Sequence, residues 1–177
     1  ASMIMFDLLE SSSKDAENIH LNSLSLSNRF SDLGEYLIIH IGTSHHARLW
    51  PLDLIKLLFS LCQITQKTIV LTGFKQEDTY QNALDQIVDE HRQKNKIVNL
   101  MSQTNLQELL ELVSNAKGIV SVDTGIIHWA RLFLVPNISL MGQSDNKLFG
   151  VKSPYFKLSR SIATEPLECQ DKHTFHG

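Results

Sequence analysis

The chain has 177 residues, long enough for one sizeable core, and its formal net charge of −3 gives it no general attraction to polyanions. Hydrophobic residues make up 42% and charged residues 20%, which argues against wholesale disorder. No cluster of Lys and Arg interleaved with aromatics is present, which argues against nucleic acid as a partner.

Residues 1–34 are rich in Ser, Asn and charge with scattered Leu, and read as a linker or docking arm with at most a short helix; the opening Ala-Ser-Met reads as an expression remnant. They lack the basic and long apolar regions of a signal peptide. From Tyr36 the pattern sharpens. "YLIIHIG" is a β-branched apolar run ending in glycine, the mark of a strand buried on both faces. Pro51 opens a helix at its favoured first-turn position, and Leu52, Ile55, Phe59 and Cys62 give that helix an apolar stripe. Cys62 thereby reads as a buried small hydrophobe, and with Cys169 it cannot build a disulfide framework or a cysteine zinc site.

"TIVLTG" is the next buried strand, followed by a helix with Tyr80, Ala83, Leu84, Ile87 and Val88 on one face. "IVNLM" is a short third strand. Thr104 or Asn105 can cap "LQELLELVSNA", with Leu106, Leu109, Leu110 and Val113 turned inward. Strand "GIVSV", helix "IIHWARLFL" and strand "NISLMG" complete the series.

Strands alternating with helices over about 105 residues imply βαβ units, right-handed crossovers and a parallel sheet with helices on both faces. The expected fold is therefore α/β, a Rossmann-like doubly wound parallel sheet of about five to six strands over residues 35–154. Residues 155–177 show no period and read as an irregular extension. No apolar run approaches the roughly 18 residues that span a bilayer, and the expected location is cytoplasmic.

Ligands of such sheets bind where strand carboxyl ends lead into helices. "GTSHHARLW", "TGFKQED", "MSQTN", "DTGIIH" and "MGQSDNK" are polar and glycine- or hydroxyl-bearing, whereas the loops on the opposite rim look like plain turns. In "VDTGIIH", Thr124 can cap the helix, Gly125 permits close approach to the backbone, and the N–H groups of Gly125, Ile126 and Ile127 can face the cleft. That pattern suits phosphate, with His128 placed to donate a further hydrogen bond. The bland reading gives Asp123 to loop amides, Thr124 to a cap and His128 to the partly buried interior; the motif alone leaves the two even. An aspartic-protease loop is excluded by the helix and parallel sheet around it.

Thr43, Ser44 and Arg48 can serve a diphosphate from the first loop. The adjacent His45 and His46 lack nearby carboxylates, so no metal site is expected. Trp50 reads as a packing anchor. Glu77 or Asp78 can accept from a ribose diol, or simply complement the helix dipole.

The segments "IHIGTS", "ARLWP", "VLTGFKQE" and "VNLMSQTNLQELLELVSNAKGIVSVDTGIIHWARLFLVPNISLMGQS" resemble the carboxyl-terminal half of family 9 glycosyltransferases, the heptosyltransferases of lipopolysaccharide core assembly. The resemblance covers residues 36–154. It implies a GT-B enzyme of two Rossmann-like halves, of which this half binds the nucleotide-diphosphate sugar, typically ADP-heptose, as substrate and needs no cofactor. It implies that Asp123, Thr124, Gly125 and His128 surround the diphosphate, that Ser44 and Arg48 contact it, and that Glu77 lies near the ribose. The acceptor, a lipid-linked saccharide at the membrane surface, and the general base belong to the amino-terminal half, so no catalytic residue is expected here and this chain alone is expected to be an inactive fragment. The location implied extends to the inner face of the cytoplasmic membrane. Ser102 stands where the family commonly has glycine, Arg48 where it often has lysine, and Gly142-Gln143-Ser144 replaces Gly-Pro-Thr. Those departures keep open an alternative, a non-catalytic nucleotide-sugar-binding or interaction module that retains the fold.

Overall fold

The computed structural model describes residues 24–42, 49–141 and 158–163. Six strands form one sheet: β1 (Tyr36–His40), β2 (Thr68–Thr72), β3 (Ile97–Asn99), β4 (Gly118–Val122), β5 (Asn137–Met141) and β6 (Ser159–Ala163). Four helices alternate with them: α1 (Leu52–Gln63), α2 (Asp78–Arg92), α3 (Leu106–Asn115) and α4 (Gly125–Leu132). The strand order is β3-β2-β1-β4-β5-β6 and every pairing is parallel. The sheet is therefore wound outward in both directions from the β1–β4 pair, which is the switch point of a doubly wound α/β fold.

Alternation along each strand sorts the core into two layers. Ile38, Val70 and Ile119 pack with Leu112 and Val113 of α3 and Ile126, Ile127 and Ala130 of α4. Ile39, Ile69 and Leu71 face the other way, onto Ile55, Phe59 and Cys62 of α1 and Leu84, Ile87 and Val88 of α2. Burial pushes the Cys62 thiol up, so it stays a neutral hydrophobe. Each such aliphatic or aromatic side chain contributes about 1.5–3 kcal/mol by leaving water.

Three expectations are revised. Leu106 does not face inward: it is 65% exposed, because the buried face of α3 runs through Leu112, Val113 and Ala116 and its first turn lies beyond that layer. The boundary read between residues 34 and 35 runs through a packed layer. A 3₁₀ helix at Asn28–Leu33 sends Phe30 and Leu33 into the core, while the Ser27 amide donates to Glu111 and Leu24 bonds Ser114 and Asn115. In the stretch read as irregular, Ser159–Ala163 forms β6 along β5. Buried Asn137 donates to both the Val135 carbonyl and Ser159 Oγ, tying that edge together. A five-residue strand with serines on its inward face carries no apolar period to read.

Local choices explain the element starts. Pro51 occupies the N-cap position rather than the first helical residue of α1. Asn105 caps α3 through a reciprocal box: its side chain accepts from the Glu108 amide, and Glu108 accepts from the Asn105 amide.

Candidate functional site

Strand β4 ends at the switch point and turns into α4 through Asp123 and Thr124. Thr124 holds the N-cap position in extended conformation, as expected, yet its hydroxyl does not cap. Thr124 Oγ1 lies 3.1 Å from Ser121 Oγ and 3.3 Å from the Val122 carbonyl oxygen, so it is drawn back along the strand. The amides expected to be open are also fewer than three. Ile127 donates to the Thr124 carbonyl, whereas among the described residues no acceptor takes the N–H of Gly125 or Ile126. These two donors sit at the positive end of the helix dipole.

Gly125 is exposed, and a Cβ built on it would meet none of the described residues within 4 Å. Its backbone is outside the left-handed region, so the fold itself has no steric need of glycine there. His128, three residues on, shares the outer face of α4 with it, while Ile126, Ile127 and Ala130 face the core. The His128 ring is held below its ordinary pKa by the protein crowding it and by Arg131, with Asp123 pulling the other way. It is therefore neutral near pH 7 and can donate from one ring nitrogen without adding charge. Asp123 forms no hydrogen bond to loop amides among the described residues; it acts electrostatically, favouring the charged form of Arg131 and His128.

On the same carboxyl rim of the sheet lies the loop after β2. Gly42 and Gly73 cross so closely that a Cβ on Gly73 would fall 2.3 Å from the Gly42 nitrogen, and one on Gly42 would fall 2.7 Å from the Gly73 Cα. Gly73 also has φ +124°, a conformation that side chains rarely adopt. The loop is then braced from β3: the Ser102 amide donates to the Gly73 carbonyl at 2.7 Å, and Ser102 Oγ accepts from the Lys75 amide at 2.9 Å. Ser102 has φ +56°, so a left-handed backbone persists where the resembling family has glycine. Glu77 follows at the N-cap position of α2, exposed, its carboxylate unengaged among the described residues.

Asp123, Thr124, Gly125 and His128 thus come together in one turn, whereas Glu77 follows β2, two strands away from β4 across β1 on the same rim. Ser44 and Arg48, with Thr43, His45 and His46, lie outside the described residues. Among the described residues no group of three His, Cys, Asp or Glu could hold a metal ion, and no helix is long and apolar enough to cross a membrane.

Sequence reasoning passed over two members of this rim. His40 ends β1 between Thr72 and Ser121 in register, its Nδ1 2.9 Å from Thr72 Oγ1. Burial pushes its pKa down to about 4. Ser121 is fully buried and steers Thr124. The available signal was a hydroxyl inside the otherwise apolar "GIVSV" and a histidine at the end of a buried strand.

Comparison with known proteins decides the lineage. The sequence model of glycosyltransferase family 9 (heptosyltransferase) matches residues 3–176. The chain belongs to that family. No curated protein matches it. Among solved structures, this family 9 chain is similar to E. coli heptosyltransferase WaaC with ADP, at 23% identity and a TM-score of 0.62, over 78% of this chain and 40% of WaaC. It is likewise similar to E. coli ADP-heptose lps heptosyltransferase II, at 23% identity and a TM-score of 0.62, over 79% of this chain and 44% of that one. A family 9 glycosyl transferase from Veillonella parvula DSM 2008 matches at 16% identity and a TM-score of 0.62, over 85% of this chain and 44% of its own. The family 9 chain therefore spans less than half the length of these proteins, and its six-stranded parallel sheet has the Rossmann-like fold of GT-B heptosyltransferases.

Proposed function

We propose that this chain is the donor-binding half of an inverting glycosyltransferase that moves heptose from ADP-heptose to a lipopolysaccharide-type acceptor. The observation that carries the reading is the β4–α4 turn: among the described residues there is open space over Gly125, two of the turn's amides have no acceptor, and His128 lies on the same outer face, all at the switch point. Two solved relatives by fold, WaaC with ADP and WaaC with ADP-2-deoxy-2-fluoro heptose, support a nucleotide sugar as the ligand class.

In this reading the diphosphate rests on the Gly125 and Ile126 amides. The Thr124 hydroxyl swings out from Ser121 and His128 donates from the side, and Ser44 and Arg48 are assigned to the same diphosphate by the family resemblance. Glu77 accepts from the ribose. During transfer an acceptor hydroxyl attacks the anomeric carbon, its proton passes to a base in the amino-terminal half, and the sugar–phosphate bond breaks. The work of this half is then to stabilise the charge left on the departing diphosphate with preset donors. The chain alone binds donor and does not transfer sugar; the complete enzyme works at the inner face of the cytoplasmic membrane, where its lipid-linked acceptor lies.

A panel of ADP, GDP, UDP and CMP in thermal unfolding tests this, because selective binding stabilises the native state by mass action. A nucleoside diphosphate should raise the Tm of the wild type. The pair Thr124→Val and His128→Ala should remove most of that rise, measured from the variant's own unliganded Tm, which the lost bond to buried Ser121 lowers. An unchanged rise in the double variant would overturn the assignment. The alternative, a binding module outside catalysis, predicts the same binding with no transfer when the amino-terminal half is supplied on the same polypeptide.

A further inference from the structure

Phe74 is 74% exposed, in a loop otherwise made of Gly, Lys, Gln and Glu at the carboxyl edge of β2. A mobile loop would fold such a ring against the protein, but this one is fixed on both sides. Gly73 is locked against Gly42 and accepts from the Ser102 amide, Lys75 donates to Ser102 Oγ, Gln76 donates to Gln81 Oε1, and the Gln76 side chain donates to the Phe74 carbonyl at 2.7 Å. The loop thus spends much of its hydrogen-bonding capacity on itself and holds out a planar apolar surface. Glu77 follows three residues later on the same rim.

We propose that Phe74 is the stacking platform for the nucleobase of the bound nucleoside diphosphate, selecting purines over pyrimidines by ring area rather than by hydrogen bonds to base edges. This rests on the donor-site reading above. Stacking on an aromatic face is tolerant of base identity and scales with overlap. Ring overlap by itself is indifferent to the groups on a base's edge, so a platform of this kind should hold adenine and guanine alike. The Glu77 carboxylate, in the same loop, is free to take the ribose, and Gly125 across β1 takes the phosphates.

The test measures affinities of the full 177-residue chain by calorimetry for ADP, GDP, CDP and ribose 5-diphosphate, which has no base. ADP and GDP should agree within about threefold and exceed CDP. Phe74→Ala should weaken ADP and GDP by about tenfold or more, leave ribose 5-diphosphate unchanged and bring ADP close to CDP. Phe74→Tyr should restore the wild-type order. If Phe74→Ala leaves ADP unchanged while Gly125→Val abolishes it, the donor site stands and the platform falls. If Phe74→Ala weakens ribose 5-diphosphate as much as ADP, Phe74 shapes the loop and the proposal is overturned. If the folded wild type binds none of the four, the donor-site reading falls and takes this inference with it.

Discussion

Gly125→Ala separates the needs of the fold from those of the ligand. The new methyl group would meet no atom of the described residues within 4 Å, and the backbone there is outside the left-handed region. A glycine-to-alanine change at a compatible site stabilises by about 0.4–1 kcal/mol, chiefly by restricting the unfolded chain. For a chain of this size 1 kcal/mol moves Tm by roughly 2–4 °C, so unliganded Tm should rise by about 1–4 °C. The same methyl group occupies the space proposed for the diphosphate. A tenfold loss of affinity would remove about 1.4 kcal/mol of ligand-induced stabilisation, and with it roughly 3–6 °C of the ADP shift. Gly73→Ala is the internal control: its Cβ would lie 2.3 Å from the Gly42 nitrogen at φ +124°, and it should cost about 3 kcal/mol or more before any ligand is added. Differential scanning fluorimetry with and without ADP reads both. A fall in unliganded Tm for Gly125→Ala would refute the open-space argument. A rise with the ADP shift intact would refute the diphosphate seat.

Three further outcomes follow from the geometry. His40, with an ordinary pKa of 6.5 and a folded value of about 4, binds fewer protons folded than unfolded between those limits. Stability should therefore be complete above about pH 6.5 and decline as pH falls towards 4, by up to about 3 kcal/mol; urea unfolding of His40→Gln should show that limb flattened. Asn105→Ala removes the side-chain half of the α3 capping box, keeps the backbone amide's bond to Glu108, and should cost about 1 kcal/mol in urea unfolding, with no change in ADP affinity. Ser102→Gly relieves a left-handed backbone but loses the bond to the Lys75 amide, so it should shift stability by less than about 1 kcal/mol; Ser102→Ala keeps the strain, loses the bond and should be the less stable of the two.

The doubly wound sheet was legible because its inner strands are continuous apolar runs and its helices carry clean stripes, as Ile55–Phe59–Cys62 and Leu84–Ile87–Val88 show. The β4–α4 turn was legible from Asp-Thr-Gly in that setting. What escaped the sequence depended on contacts between distant segments. The Thr124 hydroxyl looked like a cap because nothing local reveals that buried Ser121 competes for it. The crossing of Gly42 and Gly73 needs β1 and β2 to be neighbours before either glycine acquires its meaning. Edge strand β6 stayed hidden because it is recognised by Asn137 and a ladder of backbone bonds rather than by its own apolar content.

The tether of residues 24–33 across α3 bears on how this chain can be shortened. Trimming to the first strand would strip Glu111 of the Ser27 amide, leave Asn115 and Ser114 without Leu24, and open a hollow where Phe30 sat. An excised domain should therefore start upstream of Leu24. One starting at Tyr36 should expose greasy surface on α3 and clump.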